Sequence, residues 1–411
     1  MVNMMVTNAA FTLLAEGTVT TPRGFQAAGL HAGIKRKKKD VGLLVSAVPA
    51  AAAGVFTLNA VRAACVTQNE QQLQALPYLQ AIIVNSGNAN ACTGAKGDAD
   101  AKEMQQHTAA KLGLPAHAVA IASTGVIGVQ MPMEALKAGI EQAAAGLSEL
   151  GGDEFAEAML TTDTFTKQVA VQLTIDGQTV TIGGAAKGSG MIHPNMATML
   201  AFVTTDAKVE PSALQSLLSR TTDQTYNRIT VDGDTSTNDM VLVMANGLAQ
   251  NQSLDETHPD WFAFVEAFRY VSEKLAKDIA RDGEGATKLV QVAVNGAVSE
   301  LVATQIAKKV VGSSLVKTAV FGADANWGRI LAAIGYAGVP FDPARVDIWL
   351  GEVQVAAQGM GLNFDEAAAK AHLLGDTVQI TIDLNMGDAA STAYGCDLTY
   401  DYVRINASYR T

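Results

Sequence analysis

The stretch Gly183-Gly184-Ala185-Ala186-Lys187-Gly188-Ser189-Gly190 runs directly into Met191-Ile192-His193-Pro194-Asn195-Met196-Ala197-Thr198-Met199-Leu200. It crowds glycines around one lysine and one threonine. A phosphate-cradling P-loop needs its lysine behind the last glycine of GxxxxGK[ST], with a hydroxyl next. Here Lys187 precedes Gly188-Ser189-Gly190, so the register is wrong, and the stretch holds no GxGxxG. Glycine richness alone favours a structural loop. The Ala197-Thr198 bond adds chemistry, because it lies between a turn-rich segment and Met199-Leu200-Ala201-Phe202-Val203, an apolar run that predicts a buried strand. A cut there gives Thr198 a free α-amino group beside its own hydroxyl, a nucleophile with a built-in base. Such an amine titrates near ~7.7–8.0, close to working pH. A lysine nearby, such as Lys187, disfavours a second positive charge and lowers that value further.

The elements that must hold these residues alternate between strand and helix, which predicts an α/β architecture. Ala81–Val84 is a short apolar strand leading into Asn85-Ser86-Gly87-Asn88-Ala89-Asn90, which reads as a polar, turn-rich loop. A helix is expected over 98–112, then a buried strand over 118–122 that ends at Ser123-Thr124-Gly125, then a helix over 133–150. Val169, Val171, Leu173 and Ile175 alternate up to Asp176-Gly177, and Val180 and Ile182 alternate beyond it, which is the signature of a β-hairpin. Phe264, Phe268, Val271, Leu275 and Ile279 form one helical stripe that should pack into the core. That helix ends at Arg281-Asp282-Gly283-Glu284-Gly285-Ala286, an acidic turn in which glycines flank Glu284 on both sides. From Lys288 onward strand signals dominate, and a domain boundary is expected there.

Bulk properties narrow the function. The 411 residues are 48% hydrophobic and 17% charged, enough to bury a large core in two or three domains. The net charge of −11 disfavours nucleic acid as a partner. The basic run Lys35–Lys39 is expected to be a solvated loop or strand edge. Cys65, Cys92 and Cys396 lie far apart, and the histidines show no ligand spacing, so neither a disulfide framework nor a metal is expected. No signal peptide or membrane-spanning stretch is apparent, and the cytoplasm is the expected compartment.

Lys187 through Leu200 resembles the cleavage signature of the ornithine acetyltransferase (glutamate N-acetyltransferase, ArgJ) family. Other segments resemble the family in the expected order: Asn85 to Gly94, Ser123-Thr124-Gly125-Val126-Ile127-Gly128, Thr161-Thr162-Asp163-Thr164, Asp282 to Lys288, Gly322 to Arg329, and the tail Asn406-Ala407-Ser408-Tyr409-Arg410-Thr411. The resemblance implies a layered α/β/β/α sandwich of the DmpA/ArgJ type over residues 1–287, with a smaller C-terminal α/β domain over 288–411. It implies self-cleavage between Ala197 and Thr198 into two chains that pair again as a heterotetramer. The implied reaction moves acetyl from N2-acetylornithine to L-glutamate through an acetyl-Thr198 intermediate in arginine biosynthesis. No cofactor is implied; acetyl-CoA as a second acetyl donor is left open by the sequence.

By the same resemblance, the Thr124 hydroxyl and the Gly125 N–H form the oxyanion hole, and Thr161, Lys187, Thr198, Glu284, Asn406 and Thr411 contact substrate. From local sequence alone, Thr124-Gly125 could be an ordinary turn, Glu284 a surface acid, and Thr162 or Thr164 could stand in for Thr161. The competing functions are a related N-terminal-nucleophile aminopeptidase or amidase, with water as acceptor, and a non-catalytic ligand-binding protein.

Overall fold

The computed structural model describes residues 7–8, 10–193 and 199–408, so Ala197, Thr198 and Thr411 lie outside the described residues. Ten strands among those described form one sheet: β1 (Thr7–Asn8), β2 (Phe11–Leu14), β3 (Phe25–Leu30), β4 (Val41–Phe56), β5 (Tyr78–Asn88), β6 (Val119–Val126), β7 (Lys167–Ile175), β8 (Gln178–Lys187), β9 (Leu200–Thr205) and β10 (Met240–Ala245). They bond in the order β1-β2-β7-β8-β9-β10-β4-β5-β6, with β3 on β4.

The 16-residue β4 joins two layers. Its first part lies between β3 and β5, and its end, Ala51–Phe56, pairs with β10. The register against β5 shifts between Val45 and Ala50, and irregularities of this kind bend and twist a strand. Ala185, Phe202 and Leu242 of β8, β9 and β10 share a core with Phe25, Leu44 and Ile82 of β3, β4 and β5. On the outer face of β8–β10, Ile182, Val203 and Val243 pack against Phe264, Phe268 and Leu275 of the helix Trp261–Arg281. Across the molecule, Met104 and Ile140 of the helices Gly94–Leu112 and Met133–Ala145 join the other layer. The result is the layered α/β/β/α arrangement expected from the family resemblance. The apolar stripe of the helix Trp261–Arg281 is core, as its spacing implies.

The Asp-Gly hairpin forms as expected. Ile175 pairs with Gln178, and Asp176 and Gly177 both take positive φ, 51° and 74°, as a two-residue turn of that twist demands. Two expectations fail nearby. Gly183–Lys187 is not loop but the end of β8. The small residues let the neighbouring layers close in: a side chain at Gly184 would meet Leu275 at 2.9 Å. Likewise Asn85–Asn88 belongs to β5 rather than a loop, with Asn85 and Ser86 fully buried. Tertiary partners satisfy them, since Asn85 Oδ1 accepts from Ser123 Oγ at 2.7 Å and Ser86 Oγ donates to Ala158 O at 2.5 Å. The helix expected over 133–150 stops at Ala145, where the Gly146 N–H bonds back to Gln142 O and Ala143 O.

A second sheet holds β11 (Leu289–Ala297), β12 (Asp347–Leu350), β13 (Val353–Ala357), β14 (Met360–Gly361), β15 (Thr377–Asp383) and β16 (Ala389–Cys396), ordered β14-β13-β12-β15-β11-β16. The expectation that strands dominate this part is corrected by the helices Glu300–Val311, Ser314–Phe321, Trp327–Gly335, Glu366–Leu373 and Tyr400–Ser408. Val302, Ile306 and Val310 of the first pack on Val292 and Ile380 in a core of their own. Among the described residues no helix is long and apolar enough to cross a membrane.

Candidate active site

Lys187 pairs with Leu200, and Leu200 with Met240, so the end of β8 and the starts of β9 and β10 share one edge of the sheet. A cavity of about 260 Å³ opens there. Its walls come from segments distant in sequence: Thr124, Gly125, Thr161, Lys187, Glu284 and Asn406 all line it, with Met199 and Leu200 at its edge. Among the described residues, Lys187, Asp239 and Glu284 are its charged lining. The cavity therefore offers one ammonium and two carboxyl groups to a small polar ligand.

Each side chain has a structural reason to be there. β5 and β6 run parallel, with Ser86 beside Thr124 and Gly87 beside Gly125. Gly125 has a φ of +132° and lies against the backbone of Gly87 and Asn88, so no larger residue fits. The Thr124 hydroxyl accepts from Lys187 Nζ at 3.4 Å. Glu284 is only 8% exposed, which corrects the alternative of a surface turn acid. Its N–H donates to Ser189 O at 3.0 Å, and Ser189 Oγ in turn donates to Asp282 O at 2.7 Å. Asn406, on the helix Tyr400–Ser408, donates from Nδ2 to Glu284 Oε2 at 2.8 Å.

Among the three candidate threonines, Thr161 and Thr162 both line the cavity. Thr164 instead donates to Asp282 through both its N–H and its hydroxyl. The segment Gly322 to Arg329 lies away from this cavity; its Asn326 caps the helix Trp327–Gly335 by accepting from Arg329 N.

Beneath the cavity sits a closed ionic cluster that sequence reasoning missed. Lys167 Nζ bonds Asp163 Oδ1 at 2.8 Å and Asp282 Oδ2 at 2.6 Å, and all three side chains are buried. Asp163 also accepts from Thr161 N at 3.0 Å and Gly188 N at 2.7 Å, tying two walls of the cavity together. Burial works to raise the Asp163 pKa, but the Lys187 and Lys167 ammoniums outweigh it and hold the carboxyl well below its ordinary value. The signal available in sequence was the Thr161-Thr162-Asp163-Thr164 motif itself, whose aspartate was passed over for its threonines.

The stretch Ser236-Thr237-Asn238-Asp239 also lines the cavity and was not singled out from sequence. Asn238 Nδ2 donates to Ala89 O at 2.6 Å and Ser123 O at 2.8 Å, fixing the start of β10 against β6. Lys35 is a further correction. Arg36, Lys37 and Lys38 are exposed as expected, but Lys35 turns inward and donates to Leu160 O at 2.8 Å. Burial lowers its pKa to about 8, against the pull of Asp40.

Comparison with known proteins gives the family. A family model described as the ArgJ family matches residues 26–411. The arginine biosynthesis bifunctional protein ArgJ of Geobacillus kaustophilus is 55% identical over 403 residues, covering 98% of both chains. The protein of the same name from Symbiobacterium thermophilum is 57% identical over 398 residues, covering 96% of this chain and 99% of its own. The crystal structure of the arginine biosynthesis bifunctional protein from Bacillus halodurans is 55% identical, with a TM-score of 0.50, and covers 51% of this chain and 98% of that one. With the match running through every segment that builds the cavity, the chain belongs to the ArgJ family.

Proposed function

We propose that the protein is a glutamate N-acetyltransferase of arginine biosynthesis, moving acetyl from N2-acetylornithine to L-glutamate. The observation that carries this is the convergence of Thr124, Gly125, Thr161, Lys187, Glu284 and Asn406 on the cavity that reaches Met199, the residue after Thr198. In this reading the chain cuts itself after Ala197, and the Thr198 hydroxyl attacks the acetyl carbonyl. The hydroxyl proton passes to the Thr198 amine, the oxygen–carbon bond forms, and charge develops on the carbonyl oxygen. The Thr124 hydroxyl and the Gly125 N–H are the donors for that oxygen. Collapse breaks the carbon–nitrogen bond, the amine returns its proton to the leaving nitrogen, and ornithine departs. Glutamate then takes the acetyl group from Thr198 by the same steps reversed, so the kinetics are ping-pong.

The charges suit amino-acid substrates, which carry a carboxylate and an amine. Lys187 is assigned to carboxylate and Glu284, braced by Asn406, to an ammonium. Thr411 is kept as a substrate contact on the family resemblance alone. The word bifunctional in the relatives' names supports a second activity, which we assign to acetyl-CoA as donor to glutamate. The Bacillus halodurans chain spans about half of this one, which supports two mature chains divided near the middle; we assign them to a heterotetramer. A second sheet that opens at Leu289 with its own core supports units of 1–287 and 288–411. Cys65, Cys92 and Cys396 are all free thiols, which favours a reducing compartment such as the cytoplasm.

The test is an assay for N-acetylglutamate from acetylornithine and glutamate, run beside an intact-mass measurement. The expected result is two chains, one starting at Thr198, and turnover that rises with glutamate. In Thr198→Ala both cleavage and transfer should vanish. Hydrolysis of acetylornithine unaffected by glutamate would point instead to an amidase.

A further inference from the structure

Lys35 turns inward from the basic run, and the steps above leave it unused. The loop that carries it is pinned from below. Asp40 is fully buried and accepts from Ala32 N at 2.6 Å, Gly33 N at 3.2 Å and Lys35 N at 2.8 Å, with His31 Nδ1 at 3.1 Å from the same carboxylate. At the far end of the run Lys39 pairs with Glu157 at 2.8 Å, while Arg36, Lys37 and Lys38 are exposed. The course of the backbone is therefore fixed on both sides of Lys35.

That one side chain reaches two walls of the cavity. The first wall is Gly125. Its neighbour across the β5–β6 pair is Gly87, so close that a side chain at Gly125 would come within 2.4 Å of the Gly87 carbonyl carbon. Gly87 has a φ of +100° and also meets the Lys35 stem: a Cβ on Gly87 would stand 2.7 Å from Lys35 Cγ. The second wall is Thr161. The Lys35 ammonium donates at 2.8 Å to Leu160 O, the oxygen of the peptide that joins Leu160 to Thr161. Lys35, Gly87 and Gly125 are thus stacked in contact, and the head of the same lysine holds the chain entering Thr161.

We infer that Lys35 is a positioning residue for acetyl transfer, setting the Gly125 N–H and the Thr161 wall at their working separation. The inference rests on the transferase reading above, with Gly125 as an oxyanion donor. A donor helps only when it is aimed at where charge develops, and a misplacement of about 1 Å can cost roughly 100-fold in rate. In this role Lys35 moves no proton and touches no reacting atom. Its own charge still matters, because an ionised donor makes a hydrogen bond about twice as strong as a neutral one. Burial lowers the Lys35 pKa to about 8; Asp40 and Asp163 work to raise it, and Lys38 and Lys187 work to lower it. The grip on Leu160 therefore weakens as the pH rises through that value.

The acetylation half-reaction isolates the effect. Protein shown by mass to be cut is mixed with acetylornithine alone, and the rate of the ornithine burst is read. The wild-type rate should decline as the pH rises through about 8. In Lys35→Met the rate at about pH 7 should fall roughly 10-fold, with the half-saturating acetylornithine concentration little changed and no alkaline decline. Lys35→Arg keeps its proton, so it should recover most of the rate and also lack the decline. A lysine that only stabilised the fold would leave the decline in place in both variants. A wild-type rate in Lys35→Met overturns the inference, and so does an alkaline decline that survives in either variant. Where Lys35→Met does not fold or is not cut, the wild type decides: a burst rate flat from about pH 7 to pH 9 overturns the idea without any variant. Wild-type protein that gives neither an ornithine burst nor N-acetylglutamate sinks the transferase reading and this inference together. An active wild type with insensitive variants sinks this inference alone.

Discussion

Two charge clusters lie within one stretch of fold, and they are built from adjacent residues. Asp163 follows the cavity threonines Thr161 and Thr162, and Asp282 sits two residues before Glu284; Lys167 and Lys187 are on the paired strands β7 and β8. Yet the lower cluster is closed. Lys167, Asp163 and Asp282 are buried, and they bond each other and nearby backbone. The upper cluster is open among the described residues: there Lys187 Nζ bonds only a hydroxyl at 3.4 Å, Glu284 holds one side-chain amide, and Asp239 has an oxygen with no donor. Satisfied charges fix the walls, and underused charges face the space where a substrate can complete them.

The sharpest way to break this contrast is Lys167→Met. It leaves two buried carboxyls without their cation, and the expected loss is about 3–5 kcal/mol of stability, read as a lower urea midpoint. The pH dependence should change with it. A depressed folded-state pKa at Asp163 contributes stability that is present above the ordinary value of ~3.9 and lost as the pH falls below it. Wild-type protein should therefore weaken as the pH falls from about 4 toward the depressed Asp163 value, and Lys167→Met should show a shallower acid slope. An unchanged slope would mean that the lower cluster does not act as a unit.

Substitutions in the upper cluster should spare stability and strike catalysis. On the proposed mechanism Thr124→Val removes one donor at the developing oxyanion, and kcat should fall roughly 10²–10³-fold with the urea midpoint nearly unmoved. Glu284→Gln should cost about 1.5–3 kcal/mol of transition-state binding, seen mainly as a higher KM for acetylornithine. Asn406→Ala removes the amide that braces Glu284, and about 0.5–1.5 kcal/mol is expected in the same parameter. If Asn406→Ala exceeds Glu284→Gln, the amide rather than the carboxylate is the main contact.

How far this was legible in the amino-acid sequence depended on the kind of signal. The Asp176-Gly177 hairpin and the stripe of the helix Trp261–Arg281 follow from local periodicity, and both formed. The segments lining the cavity were found through motifs rather than periodicity, because nothing local says that Thr124 and Asn406 meet. The Asn85–Asn88 stretch misled for a physical reason. Its polar side chains look like turn residues until Ala158 and Ser123 supply their partners. Gly183-Gly184 misled likewise, since closeness of packing is invisible until both layers are known. Asp239 gave no warning because an unpaired buried carboxyl is a property of surroundings, and Lys35 was hidden by its exposed neighbours.

The strand order has a consequence for the proposed cut. β9 and β10 belong to the part after Thr198, yet they lie between β8 and β4, which belong to the part before it. β8 and β9 pair from Ile182–Thr205 to Lys187–Leu200, and β10 and β4 from Met240–Phe56 to Ala245–Ala51. A cut after Ala197 thus produces two polypeptides woven through one another, with a ribbon of the second threaded into the middle of the first. Separating them would mean unfolding both, so a mature pair made by the proposed cut would inherit its fold from the uncut chain and, once taken apart, should not readily reassemble from its halves.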